Sequence, residues 1–413
     1  MHAESLVIEA EKDCLEGHQY IQEIVEKNQR RVLEAFRNHR ISDTHLQGTT
    51  GYGYDDLGRE GLEAVYAEVF GGEDAVVRPQ IVSGTHAITT ALFGVLRPQD
   101  ELVYITGHPY DTLEEVIGKP GKEEGSLADF QIGYREVALK NTGEVDFEEI
   151  KRSWTKETKV IAIQRSKGYG TRPSFTIDEI KEMIAFVKEI DSSVIVFVDN
   201  CYGEFTEIKE PLHVGADLIA GSLIKNPGGG LVRAGGYIVG RKDLIHLCAN
   251  RLTAPGLGKE TGASLSMLQE MYQGFFMAPH TVGEALKGAL FTARFLELSG
   301  FKTSPSYQEK RTDLIQTVTF NRDEEMIAFC QAIQENSPIN SYVKPYPSEM
   351  PGYEDQVIMA AGTFIQGASI ELSADGPIRP PYTAYVQGGL TYTHVKIAIV
   401  EAVKTLENKG LIS

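Results

Sequence analysis

The stretch SVIVFVDNCYGEFTEIKEPLHVGADLIAGSLIKNPGGGLVRAGGY, residues 193–237, contains two apolar runs that are each followed by polar side chains. The first run ends at Asp199, and the second is followed by Ser222 and Lys225 beside a cluster of glycines. Such runs predict buried strands, and in α/β proteins the ends of buried strands face the ligand crevice. We therefore expect a carboxylate and a lysine, 26 residues apart, to lie at one crevice.

The chain around this stretch has the pattern of a large α/β domain. Its predicted strands are Ala75–Val82, Glu101–Ile105, Tyr134–Leu139, Lys159–Gln164, Val194–Asp199, Asp217–Gly221 and Gly236–Val239. The predicted helices between them are Ala87–Leu96, Leu113–Ile117, Phe147–Trp154 and Asp178–Ile190. Thr176 with Glu179, and Asp111 with Glu114, have the spacing of capping boxes. Strands that alternate with helices predict a mostly parallel sheet covered on both faces.

A smaller α+β domain is predicted at the C-terminus. After a helix at Thr281–Leu298, its strands are expected at Leu314–Phe320, Ile358–Phe364 and Ser369–Leu372, with helices at Glu324–Glu335 and His394–Lys409. We divide the chain into an N-terminal helical arm with an inter-subunit loop (1–65), a large ligand-binding domain (66–290) and a small domain (291–413).

The composition excludes several classes of function. A formal charge of -18 over 413 residues argues against nucleic acid and anionic membranes as partners, because both require a basic surface. The four cysteines are far apart in sequence and form no Cys-x-x-Cys pair, which indicates reduced thiols and no zinc site. Without a signal-peptide pattern or a membrane-spanning run, we expect a cytoplasmic enzyme.

Two segments near the first strands have features of a cofactor site. Ser83, Gly84 and Thr85 lie where a strand turns into a helix, and free amides there favour an anion such as phosphate, although such residues are more often plain turn chemistry. Tyr110 follows the next strand, so we expect it at a neighbouring strand end, where its ring can stack on a ligand. It can also be a turn residue, and His108 competes for the stacking role.

Asp199 and Lys225 indicate the cofactor more specifically. A carboxylate ending a buried strand is costly unless it is paired, although Asp199 can also be a helix cap. A buried lysine loses its proton more readily, an effect that desolvation and a nearby cation promote. This pair fits pyridoxal 5′-phosphate (PLP), with Asp199 on the pyridine nitrogen and Lys225 on the aldehyde. The phosphate-binding loop of nucleoside triphosphatases is excluded, because no Gly-x-x-x-x-Gly-Lys-Ser/Thr order occurs.

A PLP enzyme acting on amino acids also needs a group that binds the substrate carboxylate. Arg379, in a proline-rich loop, is our candidate, since arginine binds carboxylates with two hydrogen bonds. A surface role explains it about as well. Its rivals for binding the substrate carboxylate are Gln164, which ends a predicted strand, Arg165 and Arg172.

These segments, in this order, resemble the fold-type I PLP enzymes of cysteine and methionine metabolism. The likeness is to the methionine γ-lyase-like branch that includes aluminium-resistance and cystathionine β-lyase-like proteins. It extends over nearly the whole length, and the segments that carry it are TGYGYDDLGRE, SGTHA, GHPYDTLEEVIG, VFVDNCYGEF, GSLIKNPGGG and IRPPYTAYVQGG.

The resemblance implies roles for individual residues. Gly84 and Thr85 match the phosphate cup, Tyr110 the stacking tyrosine, and Asp199 the pyridine partner. Ser222 matches a phosphate ligand and Lys225 the imine lysine. Tyr52 or Tyr54, with Arg59, matches residues that such enzymes send into the neighbouring subunit's phosphate site. A homodimer with shared active sites, paired into a tetramer, is thereby implied.

The sequence departs from the better-known lyases at three places, one of which is the Tyr-Gly-Tyr stretch that replaces their tyrosine-x-arginine phosphate motif. Thr85 replaces a methionine after the cup glycine, and Ile224 replaces the serine or threonine before the lysine. The resemblance implies a carbon–sulfur lyase that performs β- or γ-elimination on a sulfur-containing amino acid such as cystathionine or methionine. The alternatives are another PLP reaction, such as threonine aldol cleavage or amino transfer, and a PLP-binding protein with a metal-tolerance role.

Overall fold

The computed structural model describes residues 2–118, 124–350 and 355–412. Its strands are β1 (Asp74–Arg78), β2 (Glu101–Tyr104), β3 (Gly133–Glu136), β4 (Thr158–Gln164), β5 (Ile195–Asp199), β6 (Leu218–Ser222), β7 (Gly236–Gly240), β8 (Lys302–Ser304), β9 (Ile315–Thr319), β10 (Val357–Ala360), β11 (Ser373–Pro377) and β12 (Thr383–Gln387). Its helices are α1 (His2–Asp13), α2 (Leu15–Asn38), α3 (Leu57–Phe70), α4 (Gly84–Val95), α5 (Thr112–Ile117), α6 (Phe147–Arg152), α7 (Ile177–Ile190), α8 (Lys242–Leu252), α9 (Leu268–Leu298), α10 (Asp323–Glu335) and α11 (Tyr392–Asn408).

The large sheet has the strand order β1-β7-β6-β5-β4-β2-β3. The pairs from β3 through β2, β4 and β5 to β6 are parallel, and β7 pairs antiparallel with both β6 and β1. Every residue of β5 and β6 is buried, because helices cover both faces and no face of these strands meets water. This confirms the predicted mostly parallel α/β sheet.

The smaller sheet has the order β10-β11-β12-β9-β8, with antiparallel pairing throughout. Helices α10 and α11 pack with it around a separate apolar cluster that includes Phe329 and Ile399. This confirms a smaller α+β domain. Helix α9 runs without a break through residue 290, so the predicted domain boundary falls inside this helix. The helix packs against helices of both the large and the small domain.

The strand predicted at Ser369–Leu372 is wrong. These residues form a turn, and β11 begins directly after it. Ile370 packs in the core of the large domain, whereas Leu372 packs in that of the small domain. This turn carries apolar side chains because the chain crosses here from the core of the large domain to the core of the small domain. The strand β12 has no counterpart among the predicted elements.

Helix ends also differ from the prediction at several places. Helix α9 starts at Leu268, well before the predicted Thr281, and continues through Pro279 although proline removes one helical hydrogen bond. The capping box of Thr176 and Glu179 is confirmed. Asp111 makes no capping hydrogen bond to α5, and its own backbone is already helical rather than extended as in most N-cap residues.

Within the described part of the chain, no helix is long and apolar enough to cross a membrane. The longest, α9, has 31 residues, and it carries charges at Glu270, Glu284 and Lys287 along its length. It packs instead on α2 and α11, where it joins the N-terminal helices to the small domain.

Candidate active site

A cavity of about 330 Å³ lies where the ends of β4, β5 and β6 face the small domain. Its large-domain wall includes eight residues singled out in the sequence, namely Ser83, Gly84, Thr85, Tyr110, Gln164, Asp199, Ser222 and Lys225. Its small-domain wall consists of Met359, Ala361, Thr363, Gly367, Ala368, Ser369, Ser373, Asp375 and Gln387. The structure therefore brings the predicted large-domain residues together in one place.

The start of α4 forms one end of the large-domain wall. Ser83 is the N-cap, and its hydroxyl accepts a hydrogen bond from the amide of His86 at 3.0 Å. A Cβ placed on Gly84 would lie 3.4 Å from Cys201 Sγ and 3.4 Å from Ser222 Cβ, so the helix start packs closely on the ends of β5 and β6. Unpaired amides and the helix dipole favour an anion at this point.

Tyr110 reaches the cavity by a different route from the one expected. Its strand β2 is not a neighbour of β1, because β7, β6, β5 and β4 lie between them in the sheet. The backbone amide of Tyr110 donates to Gln164 Oε1 at 2.7 Å, and Gln164 is the last residue of β4. The end of β4 thus holds the Tyr110 loop at the cavity.

His108, the competing stacking residue, does not line the cavity. Its ring nitrogens lie 2.5 Å from Glu114 Oε1 and 3.0 Å from Glu136 Oε2. Two carboxylates therefore fix this imidazole at the surface, and of the two candidates for the stacking role Tyr110 is the one that lines the cavity.

Asp199 is the last residue of β5 and is almost fully buried. Its Oδ1 accepts a hydrogen bond from the amide of Cys201 at 3.1 Å. Burial raises the pKa of Asp199, while the nearby charge of Lys225 and the hydrogen bond from Cys201 act in the opposite direction. Any further cationic partner at this position would therefore stabilise the charged carboxylate.

Lys225 lies on the same wall with its Nζ 3.9 Å from the centre of the Tyr202 ring. Burial acts to lower the pKa of Lys225, but the acidic side chains of Cys201, Tyr202 and Asp199 together raise it above its ordinary value. The expectation that a nearby cation lowers this pKa is wrong, because the surrounding groups are acids. In the residues described, Lys225 forms no salt bridge to a carboxylate.

None of the three candidate arginines lines the cavity. Arg379 is half exposed, and its Nη1 donates to Asp355 Oδ2 at 3.0 Å. Arg172 donates to the backbone oxygens of Gln164 at 2.9 Å and Ser166 at 2.7 Å.

Arg165 is completely buried, and its guanidinium lies 3.3 Å from Glu207 and 3.5 Å from Glu210. It also donates to Thr312 Oγ1 of the small domain at 3.3 Å, so its donors are engaged within the protein and it does not line the cavity. The carboxylate-binding roles of Arg379 and Gln164 stay predictions.

The loop with Tyr52 and Tyr54 lies apart from this chain's own cavity. The two rings stack at 5.5 Å, and Tyr52 is 74% exposed. Arg59, by contrast, is buried and donates to the backbone oxygens of Gly53 at 2.5 Å and Gly262 at 2.9 Å. Arg59 therefore supports the loop from inside, contrary to the expectation that it reaches a neighbouring subunit.

Several cavity residues were missed in the sequence. Tyr202 carries the ring under Lys225, and Tyr169 and Asp375 line the side towards the small domain. Glu204 is fully buried nearby, its Oε1 accepts from Tyr237 at 2.6 Å, and burial raises its pKa to about 8. The one signal available was the polar segment directly after Asp199, which reads as a turn.

The residues present fit PLP. Lys225 supplies a buried amine, Asp199 a buried carboxylate close enough to influence its charge, and the start of α4 supplies amides for a phosphate. Together these match the aldehyde, the pyridine nitrogen and the phosphate of the cofactor. In the described ranges, no group of three His, Cys, Asp or Glu side chains is placed to hold a metal ion.

Comparisons with known proteins agree with this geometry. The chain matches the methionine gamma-lyase family over residues 3–407. The uncharacterized protein YnbB of Bacillus subtilis is 66% identical over 98% of this chain and 96% of its own length. The structure of a carbon-sulfur lyase involved in aluminum resistance from Clostridium novyi is 49% identical, covers 98% of this chain and 96% of its own, and superposes with a TM-score of 0.95.

A more distant structure shows how widely the fold is shared. The pyridoxal-5'-phosphate dependent protein YhfS of Escherichia coli is 15% identical, covers 93% of this chain and 97% of its own, and has a TM-score of 0.62. The architecture is that of the fold-type I PLP enzymes. On the match over nearly its full length, this chain belongs to the methionine gamma-lyase family.

Proposed function

We propose that this chain is a PLP-dependent carbon–sulfur lyase, with Lys225 as the residue that carries the cofactor. Its reaction is β- or γ-elimination from a sulfur-containing amino acid such as cystathionine or methionine. The observation that carries the proposal is the meeting of Lys225, Asp199, Tyr110 and the start of α4 in one cavity. The name of the Clostridium novyi relative, a carbon-sulfur lyase, supports the reaction class.

Each part of the large-domain wall has a role in holding the cofactor. The amides at Gly84 and Thr85, with the hydroxyl of Ser222, bind the phosphate. Asp199 pairs with the pyridine nitrogen, which satisfies a carboxylate that burial otherwise penalises. Tyr110 covers the ring, since the bond from its amide to Gln164 fixes its position.

The reaction needs proton transfers between the substrate and two residues of this wall. Bound PLP supplies a sink for negative charge that develops at the substrate Cα. The Nζ of Lys225 takes the proton from Cα, and for γ-elimination it would release this proton before it takes a second one from Cβ. The phenol of Tyr110 donates a proton to the departing sulfur. One water then hydrolyses the released 2-imino acid, so the products are a thiol, ammonia and a 2-oxo acid.

The test combines the colour of the purified protein with product analysis. We expect an absorbance band near the visible edge after addition of PLP, and release of thiol and 2-oxo acid from cystathionine or methionine. Release of glycine and an aldehyde from threonine, without thiol release, would replace the lyase by an aldolase. Bound PLP with no turnover of an amino-acid panel would favour a binding or metal-tolerance role.

We further propose that the active form is a homodimer, paired into a tetramer, in which the Tyr52–Tyr54 loop completes the site of the neighbouring subunit. The exposed, stacked rings support this, because large apolar rings on a monomer surface are commonly interface residues. Sedimentation should give a dimer or tetramer. Tyr52→Ala should weaken PLP binding although Tyr52 lies outside this chain's own cavity, and a fully active monomer would contradict the proposal.

A further inference from the structure

The small-domain wall carries one carboxylate that the elimination does not use. Asp375 lies in the middle of β11, is 4% exposed and lines the cavity. Its Oδ1 is buried and accepts no hydrogen bond from the part of the chain that the structure describes. A buried carboxylate oxygen without a partner is costly, so its presence at a ligand cavity needs an explanation.

The partners of Asp375 are neutral. Its Oδ2 accepts from Gln387 Nε2 at 3.3 Å, across the pairing of β11 with β12. Burial raises the pKa of Asp375 to about 7, and hydrogen bonds from Tyr169 and Gln387 act in the opposite direction. The carboxyl group is therefore close to the balance between its neutral and charged forms, and a cation that entered the cavity would favour the charged form.

The cations near this wall are engaged elsewhere. Arg379 pairs with Asp355 at the surface, and its charge acts to lower the pKa of Tyr385. Lys225 lies on the opposite wall over Tyr202. No described lysine or arginine is among the groups that shift the pKa of Asp375, so a cationic group of a ligand would meet no competing cation at this carboxylate.

We infer that Asp375 binds an ammonium group on the leaving-group side of the substrate and so selects aminoalkyl thioethers over plain alkyl thioethers. This inference rests on the proposed lyase function. The cofactor and the reacting amino acid occupy the large-domain wall, so the sulfur substituent extends towards the small domain. An ammonium has three donors and no acceptor, which suits a carboxylate oxygen that lacks a donor.

The test uses two ligands that differ only in this charge. S-(2-aminoethyl)-L-cysteine and S-propyl-L-cysteine have side chains of equal length, and only the first ends in an ammonium. We expect the PLP-loaded protein to show a kcat/KM for the aminoethyl compound about tenfold or more above that for the propyl compound, as a charged hydrogen bond provides. In Asp375→Asn this preference should fall to within about twofold.

A second readout separates this inference from the lyase proposal. Borohydride treatment of the PLP-loaded protein fixes the cofactor and stops turnover, and calorimetry then measures binding of the same two ligands. Tighter binding of the aminoethyl compound that depends on Asp375, together with no elimination by the unreduced PLP-loaded protein, would retain the inference and refute the lyase. Elimination with equal preference for the two ligands in the unmutated protein would refute the inference and retain the lyase.

The matched control is Asp243→Asn, which removes an exposed carboxylate paired with Arg241. It should leave the ratio between the two ligands unchanged. The absorbance of bound PLP and the thermal midpoint check that Asp375→Asn is folded. A control variant that lost the preference equally would show that net charge, and not Asp375, sets the ratio, which would overturn the inference.

Discussion

The two walls of the cavity are built in different ways. The large-domain wall takes its polar groups from the ends of buried strands, where Asp199 closes β5 and Ser222 closes β6. The small-domain wall comes from a crossing turn and from the middle of the antiparallel strand β11, where Asp375 has only neutral partners. On our proposals, the first wall holds the cofactor and the second wall contacts the part of the substrate that varies.

Asp199→Asn should produce the largest effect on the large-domain wall. The change removes the charge that faces the pyridine nitrogen and keeps the shape. We expect kcat/KM to fall roughly 10²–10³-fold, because loss of one member of a buried ion pair costs roughly 3–5 kcal/mol. Steady-state kinetics with both thioether ligands measures this. A loss confined to one ligand would contradict the division between the walls.

Tyr110→Phe separates the acid role of the phenol from the stacking role of the ring. The ring remains, so PLP binding by absorbance titration should change little. The rate of thiol release should fall about 10²-fold, the lower end of the contribution of a general acid. If the rate were unchanged, another group would be the acid, although the ring contact could still stand.

Asp375→Asn should make the cofactor-free protein more stable at higher pH. The pKa of Asp375 is raised from 3.8 to about 7, so between these values the folded chain binds more protons than the unfolded chain and its stability falls as pH rises. Asp375→Asn removes the titrating carboxyl group, so the variant does not lose this stability as pH rises. Between pH 5.5 and 8 its advantage should grow by about 2 kcal/mol, measured by thermal unfolding.

Asp243→Asn is the control for this pH effect. The hydrogen bond from Arg241 lowers the pKa of Asp243, so its contribution has the opposite sign and is small at this exposed position. An equal rise in stability with pH for both variants would contradict the account of Asp375.

Arg379→Ala tests the one predicted substrate residue that the structure places outside the cavity. If its guanidinium leaves Asp355 to bind the substrate carboxylate, KM should rise about tenfold for both thioether ligands alike. Asp375→Asn changes the ratio between the ligands, and Arg379→Ala should not. An unchanged KM would show that Arg379 is a surface residue that does not bind the substrate.

The same contrast explains what could be predicted from the sequence. The large-domain wall could be predicted because strand ends are visible as apolar runs that stop at Asp199 or before Ser222. Asp375 could not, because SADGP has the composition of a turn and only pairing with β10 and β12 makes it a strand. The acid-rich surroundings of Lys225 were also hidden, since Tyr202 and Cys201 converge on it only after folding.

The most direct test of the central claim is to locate the covalent cofactor. The PLP-loaded protein is reduced with borohydride, digested and analysed by mass spectrometry. The account predicts a pyridoxyl group on the peptide that contains Lys225, and no labelled peptide from Lys225→Ala. Lys167 is the informative competitor, because it too is buried, with a lowered pKa, beside cavity residue Ser166. A label on Lys167, or on no lysine of a folded and PLP-saturated protein, would contradict the account.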